Sequence, residues 1–158
     1  MTGIIEGIAR VARDRNFHAD FASRVDSPYW AGLARGELTI QRCANCGQWI
    51  WPAEWRCGEC GSYDFDWPTL PMVGEVYTWT RTHYAFVPDM PVPLTHVLVA
   101  LRWAAGRRVL GLLTGSGDGL RIGAQVEGYV ESASARTRDL PVVRWRLVPE
   151  NQPARVQA

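Results

Sequence analysis

Four cysteines constrain this chain more than any other feature, because they form two copies of one short pattern. Cys43-Ala44-Asn45-Cys46-Gly47 and Cys57-Gly58-Glu59-Cys60-Gly61 both read C-x-x-C-G, separated by ten residues. A two-residue gap lets one tight turn present both thiolates to a single ion. The glycine after the second cysteine accepts the positive φ that keeps backbone N–H groups turned toward sulfur. Two such turns supply four sulfurs, the tetrahedral set that suits zinc. A rubredoxin-type iron site uses the same ligands, and a pair of disulfides would use the same residues. The N-terminal stretch Met1 to Arg15 carries Glu6 and Asp14 and has no apolar secretory run. The expected compartment is therefore cytoplasmic and reducing, which argues against disulfides. A site closed by four thiolates leaves no position for water or substrate, so the expected role of the metal is structural.

The cysteines sit in a chain with its own punctuation. Ile4, Ile5, Ile8, Val11 and Ala12 recur at helical spacing and predict an amphipathic N-terminal helix. A second helix is predicted from Ser27 as N-cap, with Pro28 in the first turn, Trp30, Leu33 and Ala34 on one face, and Gly36 as the stop. Leu38 to Arg42 alternates as a short strand leading into Cys43. Beyond Val73 the period is two: strands are predicted over Glu75 to Tyr84, Val97 to Trp103, Arg108 to Thr114, Gln125 to Glu131 and Val142 to Val148. Pro88, Pro91 and Pro93 break the first connection into a loop, and Gly115-Ser116-Gly117-Asp118-Gly119 reads as a hairpin loop. Five strands with no long helix between them predict a small closed barrel.

Composition narrows the function. The chain is 47% hydrophobic and 21% charged, which excludes a disordered tail or a long coiled coil, and no apolar run reaches the ~20 residues of a membrane-spanning helix. All 17 basic residues are Arg, yet the formal charge is only +1. With four cysteines on a metal, none is left as a nucleophile. His18, His83 and His96 are scattered, and no paired carboxylates stand out. The expectation is a chain with no catalytic residues of its own. Trp49, Trp51 and Trp55 lie between the knuckles, either as a miniature core for the ribbon or as a platform for a flat ring beside Arg42 or Arg56.

The order of these features resembles a known family. Trp30, Gly36 and Leu38 precede the first knuckle. The two knuckles, Pro52, the run Gly74-Glu75-Val76-Tyr77-Thr78-Trp79-Thr80 and the late Ile122-Gly123 before Val126-Glu127 then follow. This is similar to the zinc-ribbon plus OB-fold family known as domain of unknown function 35, whose members accompany thiolase-like enzymes. The resemblance implies a mainly β chain: N-terminal helices over 1–37, a rubredoxin-like zinc ribbon over 38–70, an OB-fold barrel over 71–150 and a tail over 151–158. It also implies a structural Zn2+ on Cys43, Cys46, Cys57 and Cys60. The partner it implies is a thiolase or a thiolase-like aldolase, of the kind found in steroid side-chain degradation. In such complexes the small chain helps to hold acyl-CoA while the partner makes or breaks the carbon–carbon bond.

Acyl-CoA is long, polyanionic and carries an aromatic base, so Arg42, Arg56 and Arg81 with Trp55 and Tyr84 are the candidate contacts. The expected assembly is two plus two, with the Pro88 to Leu94 loop, the ribbon hairpin around Trp51 to Arg56, or both facing the partner. The competing function is a single-stranded nucleic-acid binder, since OB barrels and zinc ribbons both serve there. It would need a basic groove. A zinc on four thiolates carries a formal charge of about −2, which takes the chain from +1 to slightly negative.

Overall fold

The computed structural model describes residues 24–149 apart from Val87 and Asp89. The helix expected near Ile4 to Ala12 and the tail expected over 151–158 lie outside those residues.

The first element is α1, Ser27–Ala34. Its cap is Asp26, one residue earlier than the sequence predicts, so Ser27 is already helical. The Asp26 carboxylate does not bond the helix backbone. It accepts instead from the indole Nε1 of Trp30 at 3.0 Å and from Arg24. The helix stops where Gly36 predicts: the Gly36 N–H donates to the Leu33 carbonyl and the Glu37 N–H to the Gly32 carbonyl, satisfying the last turn.

Five short strands build the ribbon. They are β1 (Leu38–Thr39), β2 (Gln41–Cys43), β3 (Trp49–Ile50), β4 (Phe65–Asp66) and β5 (Thr69–Leu70). The strand predicted over Leu38 to Arg42 is split at Ile40 because its two halves pair with different partners: β1 pairs β5, while β2 lies between β3 and β4.

The remaining strands are β6 (Val73–Thr82), β7 (Leu94–Leu101), β8 (Arg108–Leu113), β9 (Gln125–Glu131) and β10 (Val142–Leu147). They close into a barrel in the order β10-β8-β7-β6-β9, with β10 antiparallel to β9 and parallel to β8. That Greek-key closure is the OB arrangement. The largest fully buried side chain is Trp145 on β10, which fills the barrel interior. It fits because the flanking strands offer glycines. A Cβ on Gly111 would lie 2.6 Å from the indole, and one on Gly128 2.8 Å. Strand β6 is longer than the barrel wall requires. After Val76 the register shifts by a bulge, and residues 77–81 are all exposed. Beyond the last β7–β8 pair, His96–Leu112, the ends of β6 and β7 (Arg81 and Thr82 against Thr95 and Leu94) and the connection between them project as an arm.

One apolar core joins helix, ribbon base and barrel. Tyr29 and Leu33 of α1 and Leu38 and Ile40 at the ribbon base cluster with Val76, Val97, Val99, Leu101, Val109, Val126 and Trp145. Trp49 and Trp51 pack against this same cluster, so neither belongs to a separate ribbon core. The ribbon's own cluster is small: Cys43, Ile50 and Cys57, with Phe65 against them.

Candidate functional site

The two knuckles meet at one point. The Sγ atoms of Cys43, Cys46, Cys57 and Cys60 all lie within 4.8 Å of one another. The Cys43–Cys60 and Cys46–Cys57 sulfur pairs are each 3.6 Å apart. Four sulfurs at about 2.3 Å from a zinc ion would be roughly 3.8 Å from each other, whereas a disulfide needs about 2.05 Å. All four are free cysteines, so the disulfide alternative is removed. Each knuckle closes in the same way. The Gly47 N–H donates to the Cys43 carbonyl and the Gly61 N–H to the Cys57 carbonyl, both at 2.9 Å. Gly47 and Gly61 take φ of 75° and 76°, as the motif predicts.

The protonation behaviour of the sulfurs shows what the site needs. Cys60 is lowered to about 6, first by a hydrogen bond from the Asn45 side chain and then by the Ser62 backbone. Cys46 receives a lowering hydrogen bond from the Gln48 backbone. Desolvation and the three neighbouring sulfurs outweigh it, and it is pushed up to about 12. Four thiols this close do not all ionise beside one another without a cation between them. The donor set fits a structural zinc, held by these four residues.

The arginines belong to the same duplication. The Arg42 Nε donates to the Gly47 carbonyl at 3.1 Å, and its guanidinium lies 5.2 Å from the Trp49 ring centroid. The Arg56 Nε donates to the Gly61 carbonyl at 3.2 Å, with its guanidinium 5.9 Å from the Tyr63 ring. The full repeat is thus R-C-x-x-C-G-x-aromatic, and each arginine clips its own knuckle. The signal was present in the sequence as Arg before both first cysteines. Gln41 adds a further tie. Its buried amide donates to the Glu54 carbonyl at 2.8 Å and accepts from the Glu54 N–H at 2.9 Å, fixing the segment between the knuckles.

The five residues nominated for CoA occupy four separate places. Arg42 and Arg56 are on the knuckles. Trp55 is 67% exposed and lines a cleft of about 520 Å3 with Tyr29, Trp30, Trp51 and Pro52, where ribbon meets α1. Tyr84 stands on the arm, 69% exposed, with Phe86 edge-on to it at 5.1 Å. Arg81 reaches the other way, toward the 115–119 loop, where its Nη2 is 3.0 Å from the place a Cβ on Gly117 would take. Among the described residues no helix is long and apolar enough to cross a membrane.

Comparison with known proteins bears on this geometry directly. Residues 30–66 match the family model of the ChsH2 rubredoxin-like zinc ribbon domain. A solved chain described as "Ltp2-ChsH2(DUF35) aldolase" aligns with 28% identity and a TM-score of 0.70, over 78% of this chain and 94% of that one. The ribbon is thus of the ChsH2 type, and the chain as a whole is similar to the DUF35 zinc-ribbon plus OB-fold proteins. A DUF35 protein of unknown function from Sulfolobus solfataricus shares the fold, with 16% identity and a TM-score of 0.52 over 76% of this chain and 82% of that one. Among curated proteins, "Probable enoyl-CoA hydratase alpha subunit" from Thermomonospora curvata is 33% identical over 130 residues, 80% of this chain. This chain spans 39% of that longer relative.

Proposed function

We propose that this chain is a non-catalytic accessory subunit that binds acyl-CoA and a thiolase-like partner performing carbon–carbon cleavage or formation. The observation that carries the reading is the likeness, over almost the whole of the solved chain, to a protein described as part of an Ltp2–ChsH2 aldolase. The Thermomonospora relative, a described enoyl-CoA hydratase subunit, supports an association with acyl-CoA chemistry. The zinc is structural in this reading, since four thiolates saturate it. The aromatic cleft under Trp55 is the surface suited to a flat or apolar part of the ligand, and Arg81 is the candidate for its anionic end. The arm, with exposed Tyr84 and Phe86, is the candidate partner contact along with the Trp51 to Arg56 segment.

The test is co-expression with a thiolase-like subunit encoded beside this chain, followed by size-exclusion chromatography. Co-elution as a two-plus-two assembly is expected, with Trp55→Ala weakening acyl-CoA binding about tenfold, or ~1.4 kcal/mol, and leaving the assembly intact. Separate elution at micromolar concentration, with the partner fully active alone, would refute the proposal.

A further inference from the structure

The connection from β8 to β9 runs from Thr114 to Ala124 and is not the hairpin loop that the sequence suggests, because β8 and β9 are not neighbours in the barrel. Within it Gly115, Gly117 and Gly119 adopt φ of 93°, 76° and 82°, so alternate residues occupy a conformation that side chains disfavour. Its ends are tied down, Thr114 to the Trp145 carbonyl and Gly123 to the Val76 carbonyl, while the middle carries two turn bonds, from the Leu120 N–H to the Gly117 carbonyl and from the Asp118 N–H to the Ser116 hydroxyl. The N–H groups of Gly115, Ser116, Gly117 and Gly119 have no acceptor among the described residues.

The loop forms one wall of a cleft of about 750 Å3, whose other wall is Arg146 to Pro149 at the end of β10. Arginines from three separate elements converge on it. Arg121 and Arg146 line it, and the Arg81 guanidinium lies against Gly117. Two of them are oriented by partners. The Arg81 Nε donates to the Thr95 hydroxyl at 3.2 Å, and the Arg146 Nε to the Glu127 carboxylate at 2.6 Å. Arg146 is ion-paired with Glu127 and Asp118 lies in the lining, so the cleft gathers three guanidinium groups against two carboxylates, beside the unpaired loop amides. The guanidinium groups and the amides favour an anion, and planar guanidinium groups suit phosphate oxygens.

We propose that this cleft binds the phosphate groups of a nucleotide-type ligand. The proposal deepens the acyl-CoA reading, on which it rests for the ligand's identity: the phosphate-bearing end of CoA would sit here, at the open end of the barrel.

The experiment uses the zinc-loaded full chain and calorimetric titration with three probes: inorganic pyrophosphate, CoA and a single-stranded oligonucleotide. The variants are Arg121→Gln with Arg146→Gln, and separately Ser116→Glu, which places a carboxylate at the exposed loop tip without touching the core. Zinc content and circular dichroism confirm that each variant folds. The expected result is that pyrophosphate and CoA bind the native chain, and that both variants weaken each of them at least tenfold. CoA binding that both variants leave unchanged overturns the placement, while the acyl-CoA reading stands. Pyrophosphate binding that the variants abolish, with no binding of CoA, supports the site and overturns that reading. Binding of the oligonucleotide alone, or of none of the probes, overturns the proposal.

Discussion

At the scale of single residues, the same chemistry that suggested ligand contacts also builds the scaffold. Arg42 and Arg56 carry charge beside aromatic rings, as a nucleotide contact would, yet both groups are engaged with their own knuckle. Their duplicate positions before Cys43 and Cys57 were legible. That each guanidinium turns back onto its glycine was not, because it depends on where the knuckle's carbonyls point. Tyr29 gives a residue-level prediction. Burial, with the Asp26 carboxylate adding to it, raises this phenol from 10.0 to about 12. The unfolded chain therefore loses the proton at lower pH than the folded chain does. The resulting stabilisation is complete below pH 10 and disappears as pH climbs toward 12, a loss on the order of 2–3 kcal/mol. Urea midpoints followed from pH 9 to 12 should fall more steeply for the native chain than for Tyr29→Phe, which has no proton to lose. Parallel curves would show that Tyr29 does not titrate in this way.

At the scale of elements, all five barrel strands were legible from period-two alternation, but their ends shifted. β6 begins at Val73, where it pairs with Glu127 of β9, and it stops at Thr82. β7 begins at Leu94, three residues earlier than alternation alone indicates, because it answers the outer end of β6. Alternation cannot show that this outer end leaves the barrel, since threonines and aromatics alternate equally well when both faces are wet. The arm has a measurable consequence. Backbone amides in the outer pairs Arg81–Thr95 and Thr82–Leu94 should exchange with solvent at least tenfold faster than those in the inner pairs Glu75–Ala100 and Val76–Val99. Hydrogen exchange read residue by residue decides it. Uniform protection along both strands would mean that the arm is covered in solution.

At the scale of the whole molecule, the ribbon and the barrel stand or fall together. The ribbon has little apolar material of its own, and its base residues Leu38 and Ile40 are fully buried in the cluster that contains Trp145. A structural zinc contributes roughly 10–16 kcal/mol to the folding of small ribbons, comparable with the roughly 5–15 kcal/mol stability of a whole domain. Removing it should therefore loosen the barrel as well. Treating the protein with a strong chelator, or replacing Cys46 with serine, should lower the barrel's thermal midpoint by about 10 °C or more in a single transition. Near-ultraviolet circular dichroism, dominated by buried Trp145, would report it. A barrel that melts unchanged after zinc removal would show that the shared core does not couple the two parts.

The amino-acid sequence alone determined the four converging cysteines and the five strands of the barrel, because each of these is written in local pattern. Two C-x-x-C-G turns hold a metal whatever surrounds them, and alternating residues form strands wherever a core awaits one face. The tertiary structure decided what those elements do for one another. It placed Trp145 between Gly111 and Gly128 on neighbouring strands, and it sent Trp49 and Trp51 into the main core. It also set Arg81, Arg121 and Arg146 around a loop that reads in one dimension as an ordinary turn. The physical reason is distance along the chain. Residues on different strands meet only through the closure of the barrel, and no local preference of the backbone records which cations that closure brings to the same cleft.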